Sequence, residues 1–303
     1  MLLFGIIHGA AIWFGDILTV YALSGFIMLF ARSWRARSLL ITGSVLYVLL
    51  CALAALSAGA VTLISADSVA EMRAQVWAPA AESVDSTIAA FGGSFSDSFN
   101  ANFETWKAFM PFEIPNTVPR TVALMMIGLG LFKIGFFSGK APLPIYWSCI
   151  AAGAAALAIV AYQAMLNIEA GFDFVHMQTR GSLVNPALSI LISLLYASVL
   201  ILCVRFGALA FLTNVLAPVG QMAFTNYIAQ SLIMTGIFYG GRGLGLYGEV
   251  ERDTLLVIVG GVWALQLVWS PLWLSRFKMG PLEWMWRRLS YGKPLAIRRV
   301  AAA

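Results

Sequence analysis

Long apolar runs alternate with short polar segments along this chain, and their lengths predict helices that cross a membrane. A helix that spans the hydrocarbon of a bilayer needs about 20 mostly apolar residues. Seven runs reach or nearly reach that length, whereas an eighth, residues 1–14, is too short to cross alone. The seven predicted spans are 17–32, 38–64, 119–138, 144–168, 186–204, 218–239 and 254–275.

The composition supports the same interpretation. Of the 303 residues, 60% are hydrophobic and only 11% are charged, and the mean hydropathy is +0.85. A soluble fold of this size needs far more charge on its surface, whereas lipid solvates the excess of apolar side chains. We therefore expect an all-α, polytopic transmembrane bundle with seven full spans, a partial N-terminal helix and an amphipathic helical outer segment.

The distribution of basic residues predicts the orientation of the chain. Lys and Arg concentrate on the cytoplasmic side of bacterial membrane proteins. If Arg32, Arg35 and Arg37 mark a cytoplasmic loop, alternation of the spans leaves Glu283 as the only acidic residue inside. We therefore expect a multi-pass membrane protein with a cytoplasmic C-terminus. The net charge of +5 then reflects orientation and contact with anionic lipids, and it does not indicate a nucleic-acid partner.

The segment 65–118 is too long for a simple connection and is predicted to hold structure of its own. Apolar residues recur in it at intervals of three and four, which predicts two amphipathic helices hinged near Gly92–Gly93. Their aromatic faces either cap the membrane domain or lie in the lipid headgroups. The stretch PFEIPNTVPR then punctuates the chain with three prolines before the next span.

These features divide the chain into four predicted parts. The membrane helices fall in two blocks, and the outer insertion separates them. The parts are N-terminal membrane helices 1–64, the extracytoplasmic insertion 65–118, a membrane helical domain 119–279 and a cytoplasmic basic and aromatic tail 280–303.

Two ionisable residues, His8 and Asp16, interrupt the apolar stretch GIIHGAAIWFGDIL. A charged side chain in hydrocarbon costs at least about 2.5–3.5 kcal/mol, so each of them needs a reason. On one continuous helix they would lie about 80° and ~12 Å apart, and we expect no direct contact. Gly15 predicts a break, which leaves Asp16 to cap the following helix. His8 is either a satisfied interior histidine or a catalytic base.

A second polar cluster lies in GQMAFTNYIAQSL, within the predicted span 218–239. Asn226 and Gln230 are four residues apart and share one helical face, with Thr225 and Tyr227 nearby. Amide side chains at membrane depth either bond neighbouring helices or line a polar substrate cavity. Both alternatives stay open from the sequence alone.

Two further clusters lie beside the predicted spans. His176 and Arg180, four residues apart, are either solvated loop residues or flank an outer opening. The stretch 280–293 carries Trp, Tyr and Arg side chains that suit an anchor at the inner interface.

Other sites find no support. Cys51, Cys149 and Cys203 fall inside apolar runs without paired spacing, so we expect buried thiols and neither disulfides nor a zinc site. The chain has no Walker loop, no nucleotide-binding glycine fingerprint and no His-Glu-x-x-His, which argues against an ATPase or a metalloprotease. Its start lacks the basic region of a signal peptide. No cofactor is evident.

Several stretches in order, LLFGIIHG, GDILTVYALSGFI, GQMAFTNYIAQSLI and FKMGPLEWMWRRLSYG, closely resemble the bacterial YeiB-like membrane family, known as domain of unknown function 418. The similarity extends from the first residues to about residue 295. Members of that family usually carry further upstream helices with an Asp-x-Leu-Arg-Gly signature, which is absent here. The resemblance therefore predicts a protein of the bacterial inner membrane whose chain lacks its N-terminal helices.

The resemblance also suggests an activity, because this family is remotely similar to membrane acyltransferases that modify envelope sugars and to the lysosomal heparan glucosaminide acetyltransferase. By fold-level analogy His8 would be the base, Asp16 its orienting or pocket-forming partner and acyl-CoA the donor. Asn226 and Gln230 would polarise or orient the acyl carbonyl. Two alternatives stay open. One is a transporter for a small metabolite that uses the same polar face, and the other is a structural or assembly partner that uses the outer segment.

Overall fold

The structure is a computed structural model that describes residues 1–299, and most of it is helical. Within these residues no strand forms, and Phe277 and Arg298 make only an isolated antiparallel bridge. The predicted all-α fold is confirmed. The helices are α1 Leu2–Ile7, α2 Leu18–Ala31, α3 Ala36–Ala60, α4 Ala66–Met72, α5 Ala81–Gly92, α6 Phe95–Lys133, α7 Leu143–Glu169, α8 Phe174–His176, α9 Val184–Arg205, α10 Ala210–Gln221, α11 Ala223–Phe238, α12 Arg252–Arg276 and α13 Pro281–Tyr291.

Among the described residues, four helices are long and apolar enough to cross a membrane. They cover Ala36–Leu63, Leu143–Glu169, Val184–Arg205 and Arg252–Arg276. The count of seven spans is not confirmed by helix length. The run 17–32 forms the 14-residue α2, 119–138 lies mainly at the end of the 39-residue α6, and 218–239 is divided between α10 and α11. That division occurs at Met222, whose backbone angles are not helical.

Of the two amphipathic helices predicted in the outer segment, the second begins where it was expected, and the first is divided. The break near Gly92–Gly93 is confirmed, because α5 ends at Gly92 and α6 begins at Phe95. The first predicted helix is divided, because the chain is not helical at 78–80, a segment that contains Pro79.

The expectation that PFEIPNTVPR punctuates the chain is wrong. Helix α6 runs without a break through Pro111, Pro115 and Pro119. The three prolines are four residues apart and therefore follow one side of the helix. Each of them removes a single N–H donor, and the remaining backbone hydrogen bonds hold the helix together.

The chain forms two compact units, which we describe separately. The first contains residues 1–19, 84–112 and the described residues from Leu209 onward, and the second contains residues 20–83 and 113–208. The predicted four-part division by membrane position stays a prediction.

Small residues allow close helix packing in the second unit. A Cβ on Gly43 of α3 would lie 2.8 Å from the carbonyl oxygen of Ala123 in α6, and one on Gly153 of α7 would lie 2.5 Å from the carbonyl oxygen of Leu191 in α9. Such contacts between backbones are typical of helices packed in membranes. Cys51, Cys149 and Cys203 are free thiols.

Candidate functional site

His8 lies at the centre of a buried chain of hydrogen bonds in the first unit. Its Nδ1 is 2.8 Å from Asp16 Oδ1, and its Nε2 is 2.8 Å from the Oγ of Ser231 on α11. His8 is 1% exposed, Asp16 3% and Ser231 7%. The expectation that His8 and Asp16 do not touch is therefore wrong.

The contact between His8 and Asp16 arises because the helix does not continue between them. After α1 the chain makes one π turn over His8–Ile12, and Trp13 is then extended with φ −148° and ψ 121°. The backbone reverses over 13–17 and returns Asp16 to the side chain of His8. π turns of this kind often occur at functional sites.

A fully buried asparagine, Asn102 of α6, holds this reversal in place. Its Nδ2 donates to the carbonyl oxygens of Gly9 at 3.0 Å and Ala10 at 3.1 Å, and its Oδ1 accepts from the N–H of Phe14 at 2.8 Å. Asn102 therefore satisfies carbonyls that the end of a helix leaves without partners.

Arg242 supports the same end of the π turn. Its Nη1 donates to the carbonyl oxygen of Ile12 at 3.0 Å, and its guanidinium lies 5.0 Å from the ring centroid of Tyr239 and 5.7 Å from that of Phe95. Burial lowers the pKa of the guanidinium, while Tyr239 opposes that shift. Arginine nevertheless keeps its charge in proteins, and a cation stabilises the carbonyl end of a helix.

Asp16 caps α2, as the sequence predicted. Its Oδ1 accepts from the N–H of Leu18 at 3.1 Å, and its Oδ2 accepts from the N–H of Thr19 at 2.8 Å. An ionised carboxylate only accepts hydrogen bonds, so the hydrogen shared with His8 lies on Nδ1. Nε2 is then the acceptor, and the hydroxyl of Ser231 donates to it.

Two glycines allow Asp16 and its neighbours to approach α1. A Cβ on Gly5 would lie 2.5 Å from the backbone nitrogen of Thr19, and one on Gly9 would lie 2.3 Å from Nε1 of Trp106. Because Gly5 and Gly9 are one helical turn apart, they clear one side of the helix that carries His8. The glycines at both ends of GIIHG are therefore explained by sterics, because a side chain at either position would clash with a neighbouring segment.

Ser231 lines a cavity of about 660 Å³ within the first unit. Aromatic and aliphatic side chains make up most of its wall. The ring of Tyr227 lies on the same cavity, with its centroid 5.0 Å from that of His8. This volume falls in the range of sites that enclose small organic ligands. Other lining residues include Trp13, Phe14, Met234, Phe238, Leu246 and Tyr247.

Of the six predicted substrate-binding residues, the structure places Tyr227 and Gln230 on this cavity. Gln230 Nε2 also donates to Gln266 Oε1 of α12 at 2.8 Å. Asn226 lies instead between α11 and α12, where its Nδ2 donates to Ser270 Oγ at 3.2 Å and its Oδ1 accepts from Trp269 Nε1 at 2.7 Å. For Asn226 the contacts are those of a helix–helix bond.

Thr225 has a different partner in the first unit. Its hydroxyl donates to Glu283 of α13, and Glu283 Oε1 also accepts from the backbone N–H groups of Phe224 at 2.8 Å and Thr225 at 3.0 Å. The carboxylate of Glu283 therefore caps α11 from another helix. The aromatic and basic residues of 280–293 predicted only an interfacial anchor, and the capping role of Glu283 was not predicted.

His176 and Arg180 belong to the second unit. His176 Nε2 lies 2.9 Å from Asn167 Oδ1 of α7, and its backbone N–H donates to Asp173 Oδ2 at 3.1 Å. Arg180 is exposed. Their assignment to an outer opening stays a prediction.

Two residues of the site itself, Ser231 and Asn102, were not predicted from the sequence. Ser231 follows Tyr227 by four residues, so a helical projection of the cluster around Asn226 would have placed it beside Tyr227. Asn102 is an amide among the aromatic residues Phe99, Phe103 and Trp106, which was the available signal. Nothing in the sequence alone brings Ser231 to His8, because 223 positions separate them.

Comparisons with known proteins show which sequences the chain is similar to. Residues 131–293 match the family model described as "Protein of unknown function (DUF418)". The chain is 30% identical over 308 residues to the "Uncharacterized protein YxaH" of Bacillus subtilis (strain 168), which covers 96% of this chain and 70% of that relative. It is 28% identical over 309 residues to the "Uncharacterized protein YeiB" of Escherichia coli (strain K12), with 96% and 73% covered. No solved structure matches the chain.

Proposed function

Because the chain belongs to the DUF418 family, whose description names no activity, we propose its function from the buried site of the first unit: a membrane acyltransferase with His8 as general base. The observation that carries this proposal is the hydrogen-bonded chain from Asp16 through His8 to Ser231, beside an apolar cavity. The resemblance to membrane acyltransferases, noted from the sequence, supports it by analogy.

The geometry suits proton transfer at Nε2 of His8. Asp16 orients the ring through Nδ1 and stabilises the imidazolium that forms when Nε2 takes a proton. The cavity suits the hydrocarbon part of an acyl group, since most of its lining is aromatic or aliphatic. The side chains of Tyr227 and Gln230 would supply hydrogen bonds to an acyl carbonyl. We expect an acyl-CoA donor and a sugar or lipid acceptor in the cell envelope.

The membrane setting is part of the proposal. Four helices of sufficient length and apolarity support a bilayer protein, and we propose seven spans in the bacterial inner membrane with a cytoplasmic C-terminus. Helix α13 would then contact anionic lipid at the inner face with Arg287 and Arg288, while the ring of Trp284 lies under Arg288 at 5.2 Å. The test fuses to the C-terminus a reporter enzyme that is active only outside the cytoplasm. Measured activity of that reporter would contradict this orientation.

The activity is tested by comparing the lipids and glycans of cells with and without the full-length protein by mass spectrometry. We expect one class of envelope lipid or glycan to lose an acyl group when the protein is absent. Expression of wild type should restore it, and expression of His8→Ala should not. The control is Ser198→Ala, a buried helix position of the second unit.

An unchanged acylation profile would refute the acyltransferase and favour the transporter. In that case uptake of a small metabolite would change instead. His8→Ala should then leave metabolite binding largely intact unless His8 contacts the metabolite.

A further inference from the structure

The acceptor atom of the proposed base already has a partner inside the protein. Nε2 of His8 lies 2.8 Å from Oγ of Ser231, whereas that hydroxyl is 3.4 Å from the only other acceptor in its hydrogen-bond range among the described residues, the carbonyl oxygen of Tyr227. With Nδ1 committed to Asp16, His8 has one site that can take a proton. The proton aimed at this site is that of Ser231.

We propose that Ser231 is a nucleophile that carries the acyl group as an ester during transfer. This inference rests on the proposed function and names an additional catalytic residue for it. A nucleophile whose hydroxyl bonds a base, with the base oriented by a third group, is the arrangement that activates serine on many unrelated folds. Ser231, His8 and Asp16 form this arrangement, with both hydrogen bonds at 2.8 Å.

The transfer consists of two balanced steps. In the first, Ser231 Oγ attacks the carbonyl carbon of the acyl donor, and its proton moves to Nε2 of His8. The bond from the carbonyl carbon to the leaving sulfur or oxygen breaks, and that atom takes the proton from Nε2. In the second, a hydroxyl or amine of the acceptor gives its proton to Nε2 and attacks the ester carbon. Ser231 Oγ leaves and recovers the proton.

The surroundings of Ser231 suit such an intermediate. The serine is 7% exposed and lines the cavity together with Met234 and Phe238, so an attached acyl chain would lie against apolar side chains. Water has little access to a buried ester in an apolar cavity, which favours transfer to an acceptor over hydrolysis. The phenol of Tyr227, four residues earlier on α11, is the cavity group that could stabilise the developing oxyanion.

The test uses two probes on the full chain in lipid nanodiscs. An octyl fluorophosphonate phosphonylates activated serines, and p-nitrophenyl octanoate acylates them with release of p-nitrophenol. In separate reactions, we expect one octyl phosphonate per chain with the first probe and one octanoyl group per chain with the second, each located at Ser231 by peptide mass spectrometry. We also expect a burst of about one p-nitrophenol per protein.

Matched variants decide the role of Ser231. Ser231→Ala should lose the adduct, and His8→Ala should slow its formation by about 10²–10⁴-fold, the typical contribution of a general base. Ser231→Cys should keep an octanoyl adduct that hydroxylamine removes as a thioester. Ser198→Ala is the control, because that buried serine, which has no hydrogen-bond partner within the described residues, lies in the second unit.

The outcomes separate this inference from the proposed function. A folded wild type that takes up neither probe, or an adduct that persists in Ser231→Ala, overturns the serine nucleophile. So does acyl transfer in cells that survives Ser231→Ala but is abolished by His8→Ala, a result that keeps the base and indicates direct transfer. Full acyl transfer in His8→Ala would overturn the proposed function itself.

Discussion

Replacing Asp16 with Asn tests whether this carboxylate both caps α2 and orients His8. The change keeps the size of the side chain but replaces one acceptor oxygen with an NH2 donor. All three groups that face the carboxylate are donors, namely Nδ1 of His8 and the N–H groups of Leu18 and Thr19. An asparagine therefore leaves at least one donor facing another donor in either orientation of its amide.

The two orientations have different costs. If the amide oxygen stays toward His8 and Leu18, the NH2 group faces the N–H of Thr19, and a buried donor without a partner costs about 1–3 kcal/mol of stability. If the amide turns over, its NH2 group faces Nδ1, which must then act as the acceptor. The hydrogen of His8 moves to Nε2, and this nitrogen cannot take the proton of Ser231. We expect the second state to lower the acyl-transfer rate by about 10⁴-fold, as in triads where the same change selects the wrong tautomer.

Thermal unfolding in detergent and the rate of octyl fluorophosphonate labelling report on the two effects. Asp16→Asn should lower the midpoint of unfolding by an amount that matches about 1–3 kcal/mol and should abolish labelling within the assay time. The control is Asp173→Asn, because Asp173 caps the short helix α8 through the N–H of His176 and belongs to the second unit. Normal labelling of a destabilised Asp16→Asn would refute the orienting role and leave only the cap.

Three further predictions concern the first unit and its supports. Gly9→Ala should lower the free energy of unfolding by about 1–3 kcal/mol, because the added Cβ would lie 2.3 Å from Trp106 Nε1. The control Gly25→Ala, with open space around its Cβ, should be neutral or stabilising. Equal midpoints of thermal unfolding for the two variants would contradict the close approach at Gly9. Glu283→Ala should destabilise α11 by about 1–3 kcal/mol through loss of its cap, measured as faster hydrogen exchange at the start of that helix, and unchanged exchange would contradict the cap. The side-chain and backbone hydrogen bonds from Ser94 lower the pKa of Asp97. The resulting stabilisation of the folded state is present above the ordinary carboxyl pKa of about 4 and is lost as the pH falls through the lowered value. Asp97→Asn should remove that part of the acid dependence of the unfolding midpoint, and an identical acid profile would show that Asp97 contributes nothing to it.

Sequence patterns predicted only part of the site. Features that depend on neighbouring residues were predictable, and contacts that depend on distant segments were not. The cap at Asp16 was predictable because Gly15 and the apolar run after Asp16 are local signals. The contact between His8 and Asp16 was not, because it depends on a π turn and a reversal that Asn102 and Arg242 hold from distant segments. Helical spacing assumes a continuous helix, and here that assumption fails within five residues of His8.

The same distinction applies to the spans. Hydropathy predicted apolar runs correctly but did not locate the break at Met222, which leaves α11 as a helix of 16 residues. A broken helix at membrane depth exposes backbone N–H groups, and each of these must be satisfied inside the protein. Glu283 does so for Phe224 and Thr225, at the opposite end of α11 from the cavity. The break between α10 and α11 therefore depends on a residue of α13, which no periodicity in either segment indicates.

The site combines structural support and chemistry in one carboxylate. A buried charge without compensation would cost several kcal/mol. Asp16 offsets that cost with three donors, two of them at the positive N-terminal end of α2. Because the first residues of α2 hold both oxygens of Asp16 in place, they also help to keep the hydrogen of His8 on Nδ1 and to leave Nε2 as the acceptor for the hydroxyl of Ser231. Fraying of the first turn of α2 should therefore slow labelling of Ser231 even where every side chain of the triad is intact.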